Sequence, residues 1–138
     1  MIQNTATLKI NTPGQGIFNI TRNVEIAVDE SRIRNGLVNL SILHTSASLI
    51  IQENASEEVL TDMLNFFNKF VPMDNTYRHS LEGRDDMPAH IKSALTCTHI
   101  CLSVIKSSLI LGRWQGIFLF EHRLLPHQRE ILVHSIGG

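Results

Sequence analysis

The chain has 138 residues, of which 43% are hydrophobic and 18% are charged, and its formal net charge is −1. This length fits one domain, and the composition is typical of a globular protein rather than a disordered one. The near-neutral charge argues against nucleic acid or an anionic membrane as a partner, and no apolar run is long enough to span a bilayer.

The amino-terminal third predicts strands around one helix. Alternation of apolar and polar residues predicts strands at 5–11 and 17–20. Thr21 is the predicted N-cap of a helix with one apolar stripe. Two further strands are predicted at 37–43 and 48–52.

The middle of the chain predicts two helices on either side of a polar loop. Asn54 is followed three residues later by a glutamate, which is the spacing of a capping box and predicts a helix that ends before Pro72. After the loop, Pro88 suits the first turn of a short helix, for which Asp85 or Asp86 is the predicted cap.

The carboxyl-terminal third predicts four strands, at 99–105, 108–111, 114–123 and 130–136. The strand at 114–123 is apolar on both faces, which predicts a central strand covered on both sides. Strands with three helical insertions indicate an α+β fold, and we expect one domain over residues 1–138.

The two cysteines, Cys97 and Cys101, help to predict the cellular compartment of the protein. Residues four apart on a strand share a face but lie too far apart for an easy disulfide. There is no second thiol pair to complete a structural zinc site. The first ten residues also lack the basic start and long apolar core of a signal peptide. We therefore expect a cytoplasmic protein with two reduced thiols.

The densest chemistry lies in the polar segment 77–90, which holds two histidines, two adjacent aspartates and two arginines. Histidines with carboxylates can bind a metal, and arginines can hold an anion. His90 falls in the first turn of its predicted helix. The helix dipole there disfavours imidazolium, so the ring can ligate a metal or act as a base. An exposed histidine without a role is the open alternative.

Two other segments carry candidate groups. His122 ends the strand at 114–123 between Glu121 and Arg123, where a ligand role and a buried structural role are both open. The run HTS at 44–46 interrupts two strands. Its hydroxyls and amides could cradle a phosphate, and an ordinary polar turn is the alternative.

Three motifs of this chain resemble those of the YjbQ-type family, whose associated activity is secondary thiamine-phosphate synthase. They are HTSASL at 44–49, YRH with EGRDDMPAHI at 77–91, and LGRWQGIFLFEHR at 111–123. The resemblance covers nearly the whole chain. The family pattern reads Gly-Thr-Trp-Gln where this chain has Arg113, so a role for a threonine hydroxyl at that position is in doubt.

The resemblance implies packed mixed β-sheets with two to three helices, and a homotrimer with polar pockets near its subunit interfaces. It also implies one site, gathered from His44, Asn54, His79, Asp86, His90, Gln115, Glu121 and His122.

One enzymatic interpretation is thiamine-phosphate synthesis, in which pyrophosphate leaves. That chemistry requires a divalent ion such as magnesium, cationic groups for phosphate and an apolar wall. The candidates are Asp85, Asp86 and Glu121 for magnesium, Arg84 and Arg123 for phosphate, and Trp114 for the wall.

The other enzymatic interpretation is a metal-dependent hydrolase of unknown substrate. His79, His90 and His122 would be the ligands, with an open position for water. Imidazole favours zinc or another transition metal over magnesium. A trimeric protein that only binds a metal or a metabolite is the non-enzymatic alternative.

We predict a small metal-dependent enzyme acting on a small phosphorylated metabolite, with three sets of site residues. The catalytic set is His44, Asp86 and Glu121; the substrate-binding set is Thr45, Ser46, Asn54, Arg84, Trp114, Gln115 and Arg123; the metal set is His79, His90 and His122.

Overall fold

The computed structural model describes residues 1–74 and 76–138, and in these ranges the chain forms eight strands and three helices. They are β1 (Ile2–Thr12), β2 (Gly16–Asn19), α1 (Thr21–Ser31), β3 (Asn35–Ile42), β4 (Ala47–Glu53), α2 (Glu57–Phe70), α3 (Asp86–Leu95), β5 (His99–Ile105), β6 (Ser108–Leu109), β7 (Gln115–Glu121) and β8 (His127–Gly137). The predicted α+β class is confirmed.

The strands form two sheets, one with the order β1-β8-β3-β5-β6 and the other with the order β2-β7-β4. Every strand pairing within the described ranges is antiparallel, which corrects the predicted mixed sheets. A parallel pair requires a long crossover within one sheet. Here α1 joins strands of different sheets, so it makes no such crossover.

The hydrophobic core lies between the two sheets and α1. Leu40 and Val133 contribute from the larger sheet, and Leu119 contributes from β7. On the opposite face of β7, Phe120 packs edge-on against Phe67 of α2, with ring centroids 5.4 Å apart. The prediction of a central strand covered on both faces is therefore confirmed.

Two of the predicted helix caps are wrong. Thr21 is the first residue of α1, and its amide and hydroxyl both donate to Oδ1 of Asn19, at 2.9 and 2.7 Å. Asn54 precedes the N-cap of α2, and its Nδ2 donates to the carbonyl oxygen of Gln115 at 3.2 Å. Asp85 stands at the N-cap position of α3, but its side chain makes no capping hydrogen bond.

The outer side of α2 is only partly covered. None of its residues is fully buried, and Phe66 and Phe70 are 58% and 63% exposed, with their rings stacked 5.6 Å apart. This helix therefore presents apolar surface to its surroundings. Within the described ranges, no helix combines the length and apolar character needed to cross a membrane.

Candidate functional site

Three side chains of the segment 77–90 converge. Nε2 of His79 and Nε2 of His90 lie 2.6 and 3.3 Å from Oδ2 of Asp86. The ligand atoms that the three residues offer lie within 4.8 Å of one another. Asp86 begins α3 and His90 follows one turn later, so both project from the same helix face. The structure thus joins two predicted metal ligands through Asp86, which the sequence predicts as a catalytic group.

The hydrogen bonds of His90 identify the proton on its ring. Nδ1 lies 2.8 Å from the carbonyl oxygen of Thr45, which can only accept, so Nδ1 carries a proton. In the neutral ring, Nε2 then holds a lone pair that faces a carboxylate oxygen of Asp86 at 3.3 Å. Two electron-rich atoms at this distance require a proton or a metal ion between them. A backbone carbonyl bound to the other ring nitrogen is also typical of metal-ligating histidines.

Arg123 holds the loop from the opposite side. Its Nε donates to Oδ2 of Asp85 at 2.9 Å, its first terminal nitrogen donates to Oδ1 of Asp86 at 2.8 Å, and its second donates to the carbonyl of Glu82 at 2.8 Å. The amide of Leu124 also donates to Asp85. All these bonds are internal, so the guanidinium predicted to bind phosphate instead anchors the carboxylates.

These contacts set the charge of both aspartates. Burial alone would raise the pKa of Asp86, but the hydrogen bond from His79 and the charges of His90 and Arg123 outweigh it and lower that pKa. Burial likewise opposes ionisation of Asp85, and the hydrogen bonds from Leu124 and Arg123 lower its pKa. Both groups are therefore carboxylates at neutral pH, as a cation site requires.

Glu121 is a buried structural group in this chain. It is 0% exposed, and its two oxygens accept hydrogen bonds from Arg129 at 2.7 and 2.6 Å. The hydroxyl of Thr12 and the amide of Arg123 also donate to it, at 2.7 and 3.2 Å. Arg129 in turn donates to the carbonyl and hydroxyl of Ser46, at 3.2 and 3.0 Å. These internal bonds favour a supporting role for Glu121 over the predicted catalytic one, and the predicted substrate ligand Ser46 is part of the same network.

From the sequence, Arg129 is only a possible positive charge near an anion; its pairing with Glu121 was not predicted, because the two residues lie eight positions apart across a turn and no local pattern marks the pair. The contacts of Arg129 also influence the histidine cluster. Arg129 holds Ser46, and the neighbouring Thr45 carbonyl orients His90. The network around Glu121 therefore supports the position of a candidate ligand.

His44 immediately precedes Thr45, and its imidazole ring is neutral. Its Nε2 accepts a hydrogen bond from the amide of Glu130 at 2.8 Å, so in the neutral ring the proton is on Nδ1. Burial, followed by the charge of Arg129, lowers the pKa of His44. His44 and His90 both line one small cavity. His44 therefore remains near the cluster without belonging to it.

His122 is not brought to the other predicted ligands. It is 1% exposed, its Nε2 lies 2.9 Å from the hydroxyl oxygen of Ser48, and its ring lies 4.3 Å from that of Phe120. Burial, aided by the charge of Lys92, lowers the pKa of His122 to about 3. Of its two open interpretations, the buried structural role is the one that the packing favours. The structure therefore groups His79 and His90 with Asp86 as candidate ligands and leaves His122 apart from them.

Lys92 is a second group that sequence reasoning missed. It is 1% exposed, and its Nζ donates to Oδ1 of Asn68 on α2 at 2.7 Å. Burial lowers the pKa of Lys92, and the charge of Asp85 partly offsets this effect. A lysine on a helix normally predicts an exposed position, so the sequence carried no signal of its burial.

The remaining predicted residues separate into two groups. Arg84 lines a small cavity together with His79, close to the cluster. Trp114 and Gln115 lie at the start of β7, where Asn54 donates to the carbonyl of Gln115, whereas the cluster adjoins the other end of this strand at Arg123. A seven-residue strand separates the two groups by about 20 Å. One copy of the chain therefore does not bring all the predicted site residues together.

The loop before β7 contains the residue that departs from the family pattern. The guanidinium carbon of Arg113 lies 4.8 Å from the centre of the exposed Trp114 ring, a cation–π contact. The amide of Gly112 donates to Oε1 of Gln115 at 2.7 Å, which closes the turn. Arg113 thus stacks on a neighbour and covers part of the predicted apolar wall.

Comparison with known proteins extends these observations. The model of the family described as "UPF0047 protein YjbQ-like" matches residues 6–138. The UPF0047 protein sll1880 of Synechocystis is 50% identical over 136 residues, which are 98% of this chain and 92% of that protein. The UPF0047 protein YjbQ of Escherichia coli O157:H7 is 40% identical over 132 residues, 95% of this chain and 96% of that protein.

A solved structure has the same fold as this chain. The conserved hypothetical protein TT1486 of Thermus thermophilus superimposes with a TM-score of 0.85 at 38% identity, covering 95% of this chain and 99% of that one. The matches in sequence and in structure extend over almost the full length of the chain. The chain therefore belongs to the YjbQ-like UPF0047 family.

Proposed function

We propose that this protein is a metal-dependent hydrolytic enzyme acting on a small phosphorylated metabolite, with the metal held by His79, Asp86 and His90. The observation that supports it is the convergence of Nε2 of His79 and Nε2 of His90 on one oxygen of Asp86, at 2.6 and 3.3 Å. A cation bound between a neutral His90 ring and this carboxylate would be held by two ligand bonds.

The donor set favours a transition metal. Two imidazoles and one carboxylate suit zinc or iron better than magnesium, which prefers oxygen ligands. Three protein ligands leave a position for water, and a bound divalent metal would supply Lewis acidity and make that water more acidic. Arg123 keeps Asp86 ionised and aligned, and Thr45 keeps His90 aligned.

The phosphate part of the proposal is supported by Arg84. Arg84 and Ser80 line the same small cavity as His79, so a cation and a hydroxyl lie next to the cluster. Unlike Arg123, Arg84 is exposed, and its guanidinium is available to an anion. The thiamine-phosphate synthase activity stays a prediction.

Metal content tests this proposal directly. Protein purified without a histidine tag should contain close to one transition-metal ion per chain. His90→Ala and Asp86→Asn each remove a ligand, so metal affinity should fall by about tenfold or more, the scale found when even supporting groups are lost. Elemental analysis and competition with a chelator measure both quantities.

The matched control is His99→Ala, which removes an exposed histidine on β5. Its metal content should equal that of the wild type. If the ligand variants also retain the metal with unchanged affinity, or if no metal binds the wild type, the proposed centre is rejected.

We also propose that the protein is a homotrimer whose copies share sites. The support is that Asn54 and Gln115 lie about 20 Å from the cluster within one copy, so these residues can join a cluster only in another copy. The partly exposed Phe66 and Phe70 add apolar surface that association could cover.

Light scattering in solution tests the oligomer. The expected mass is three times that of the chain and remains constant as the protein is diluted through the micromolar range. A mass equal to one chain would overturn the trimer and leave the metal proposal intact, because the three ligands come from one copy.

We propose a cytoplasmic location as well. Cys97 and Cys101 are both free and exposed. Exposed unpaired thiols are typical of proteins in reducing compartments.

A further inference from the structure

His44 is a predicted catalytic residue that lies outside the proposed set of metal ligands. Two hydrogen bonds fix its position against β8. Its Nε2 accepts a hydrogen bond from the amide of Glu130 at 2.8 Å, and the amide of the preceding residue, Leu43, donates to the carbonyl oxygen of Glu130 at 3.0 Å. The imidazole ring therefore has a fixed orientation, and in its neutral form the proton is on Nδ1.

This geometry excludes His44 as a general base. A neutral imidazole has one lone pair that can take up a proton, here on Nε2, and the backbone amide of Glu130 already occupies it. Protonation of Nε2 would place its hydrogen against that of the amide. Burial, followed by the charge of Arg129, lowers the pKa of His44 and also keeps the ring neutral. What His44 offers to a ligand is therefore the hydrogen-bond donor at Nδ1.

The donor at Nδ1 of His44 is available to a ligand. Among the residues that the structure describes, it has no hydrogen-bond partner. It also differs from the polar atoms that are fully enclosed by protein and lack a partner, which are Nε2 of Gln15, Nδ1 of His122 and Oγ of Ser135. Nδ1 of His44 is therefore open to its surroundings. A donor that the protein already holds in position stabilises a bound anion without reorganisation.

His44 lies next to a candidate metal ligand. His44 and His90 line the same cavity, and the carbonyl oxygen of Thr45, the next residue, accepts a hydrogen bond from Nδ1 of His90 at 2.8 Å. No carboxylate is among the described residues that line this cavity. The hydroxyls of Thr45 and Thr98, which also line it, can rotate to donate or to accept, whereas Nδ1 of His44 can only donate. The cavity therefore favours a ligand that presents an acceptor atom to His44.

We propose that His44 is a catalytic residue that donates a hydrogen bond from Nδ1 to a phosphoryl oxygen of the metal-bound substrate. This inference rests on the proposed function. Phosphoryl oxygens carry negative charge before and during hydrolysis, and a neutral N–H donor stabilises this charge. His44 transfers no proton in this role, because the lone pair on its Nε2 stays bound to the amide of Glu130.

Two substitutions separate the roles of the two ring nitrogens. The side-chain oxygen of glutamine can take the position of Nε2, and the side-chain nitrogen of asparagine can take the position of Nδ1. His44→Gln therefore keeps the acceptor for the amide of Glu130 and removes the donor, whereas His44→Asn keeps the donor and removes the acceptor.

Calorimetry with inorganic phosphate on the zinc-loaded proteins measures the effect of each change. His44→Gln should bind phosphate about tenfold or more weakly than the wild type, as expected when a hydrogen bond to a charged group is lost. His44→Asn should recover most of this affinity. Both variants should contain as much zinc as the wild type, because His44 is not one of the proposed ligands. A purely structural role predicts the opposite order, with His44→Gln tolerated and His44→Asn impaired, and that order would overturn the inference.

The tautomer of His44 gives a second test, which requires neither a variant that folds nor a bound metal. Long-range proton–nitrogen NMR spectra of the wild-type protein at neutral pH should show a neutral His44 with its proton on Nδ1. A proton on Nε2 would overturn the inference. Phosphate affinity in His44→Gln equal to that of the wild type, with normal zinc content, would also overturn it and leave the metal centre standing. Wild-type protein that binds no metal or no phosphate rejects the proposed function itself, and this inference with it.

Discussion

Replacing Glu121 by glutamine is expected to lower the free energy of unfolding by about 3–5 kcal/mol. Glu121 is fully buried and accepts hydrogen bonds from Arg129 at 2.7 and 2.6 Å. Glutamine keeps the shape of the side chain but removes its charge. The guanidinium of Arg129, itself 3% exposed, would then lack its counter-charge in a medium of low dielectric constant.

Urea unfolding at neutral pH measures this loss against a surface pair. Glu25 lies 3.5 Å from Arg22 on α1, and the side chains are 44% and 75% exposed. Glu25→Gln should therefore cost less than about 1 kcal/mol, because solvent screens exposed charges. If Glu121→Gln unfolds at the same urea concentration as this control, the buried pair does not stabilise the fold as argued.

A double variant identifies the cause of the loss. Glu121→Leu with Arg129→Met removes both charges together and fills the site with apolar atoms. It should be more stable than Glu121→Gln alone, because no stranded charge remains. Equal instability would instead indicate that the hydrogen bonds of Ser46 and Thr12, which lose Arg129 and Glu121 only in the double variant, are worth as much as the stranded charge costs in Glu121→Gln.

The strands were predictable because their signal is local. Alternation along 99–105 coincides with β5, and apolar residues on both faces of 114–123 placed β7 in the centre of its sheet. Helix starts were not predictable in the same way. Asn54 has the spacing of a cap, yet its amide binds the carbonyl of Gln115, sixty-one residues away in sequence. Side chains of this type bind whichever backbone group is near, and only the fold decides which one that is.

For the candidate site too, the local features were predictable from the sequence and the long-range ones were not. Asp86 and His90 are four residues apart on one helix, so their proximity follows from helix geometry. His122 lies at a strand end with two open interpretations, and its contacts with Ser48 and Phe120 favour the buried structural one. The two ends of β7 could not be assigned to different sites from sequence, because a motif records order along the chain rather than distance in space.

Arg123 and Arg84 illustrate how packing assigns roles to identical side chains. Both are predicted phosphate ligands on grounds of charge alone. Arg123 is bound to Asp85, Asp86 and a backbone carbonyl, and its charge is neutralised within the protein. Arg84 is exposed in a cavity beside His79. The availability of a cation is thus a property of its neighbours, which a single sequence does not specify.

His122 should make the protein less stable as the pH falls below 6.5. Burial lowers the pKa of the folded-state imidazole from 6.5 to about 3. Between these values the unfolded chain binds a proton at His122 and the folded chain does not. The stabilisation is fully present above pH 6.5 and is lost as the pH falls towards 3, with a slope of up to about 1.4 kcal/mol per pH unit.

The free energy of unfolding should be measured between pH 7 and pH 5. Below about pH 4.5 the unfolded chain also takes up protons at Asp85, Asp86 and Glu121, whose pKa values are lowered in the folded protein, and this further destabilises the fold. His44 contributes in the same direction as His122, because burial lowers its pKa too. The difference in unfolding free energy between the wild type and His122→Gln, taken at each pH, isolates the contribution of His122.

His122→Gln should flatten the dependence of unfolding free energy on pH in this window, because glutamine does not titrate. Ser48→Ala is the matched control. It removes the hydroxyl within 2.9 Å of Nε2 but leaves the ring buried, and burial is the largest cause of the lowered pKa. This control should be less stable at every pH and retain the wild-type slope. A slope in His122→Gln equal to that of the wild type would mean that the buried ring does not exclude its proton, and that other groups make the fold sensitive to acid.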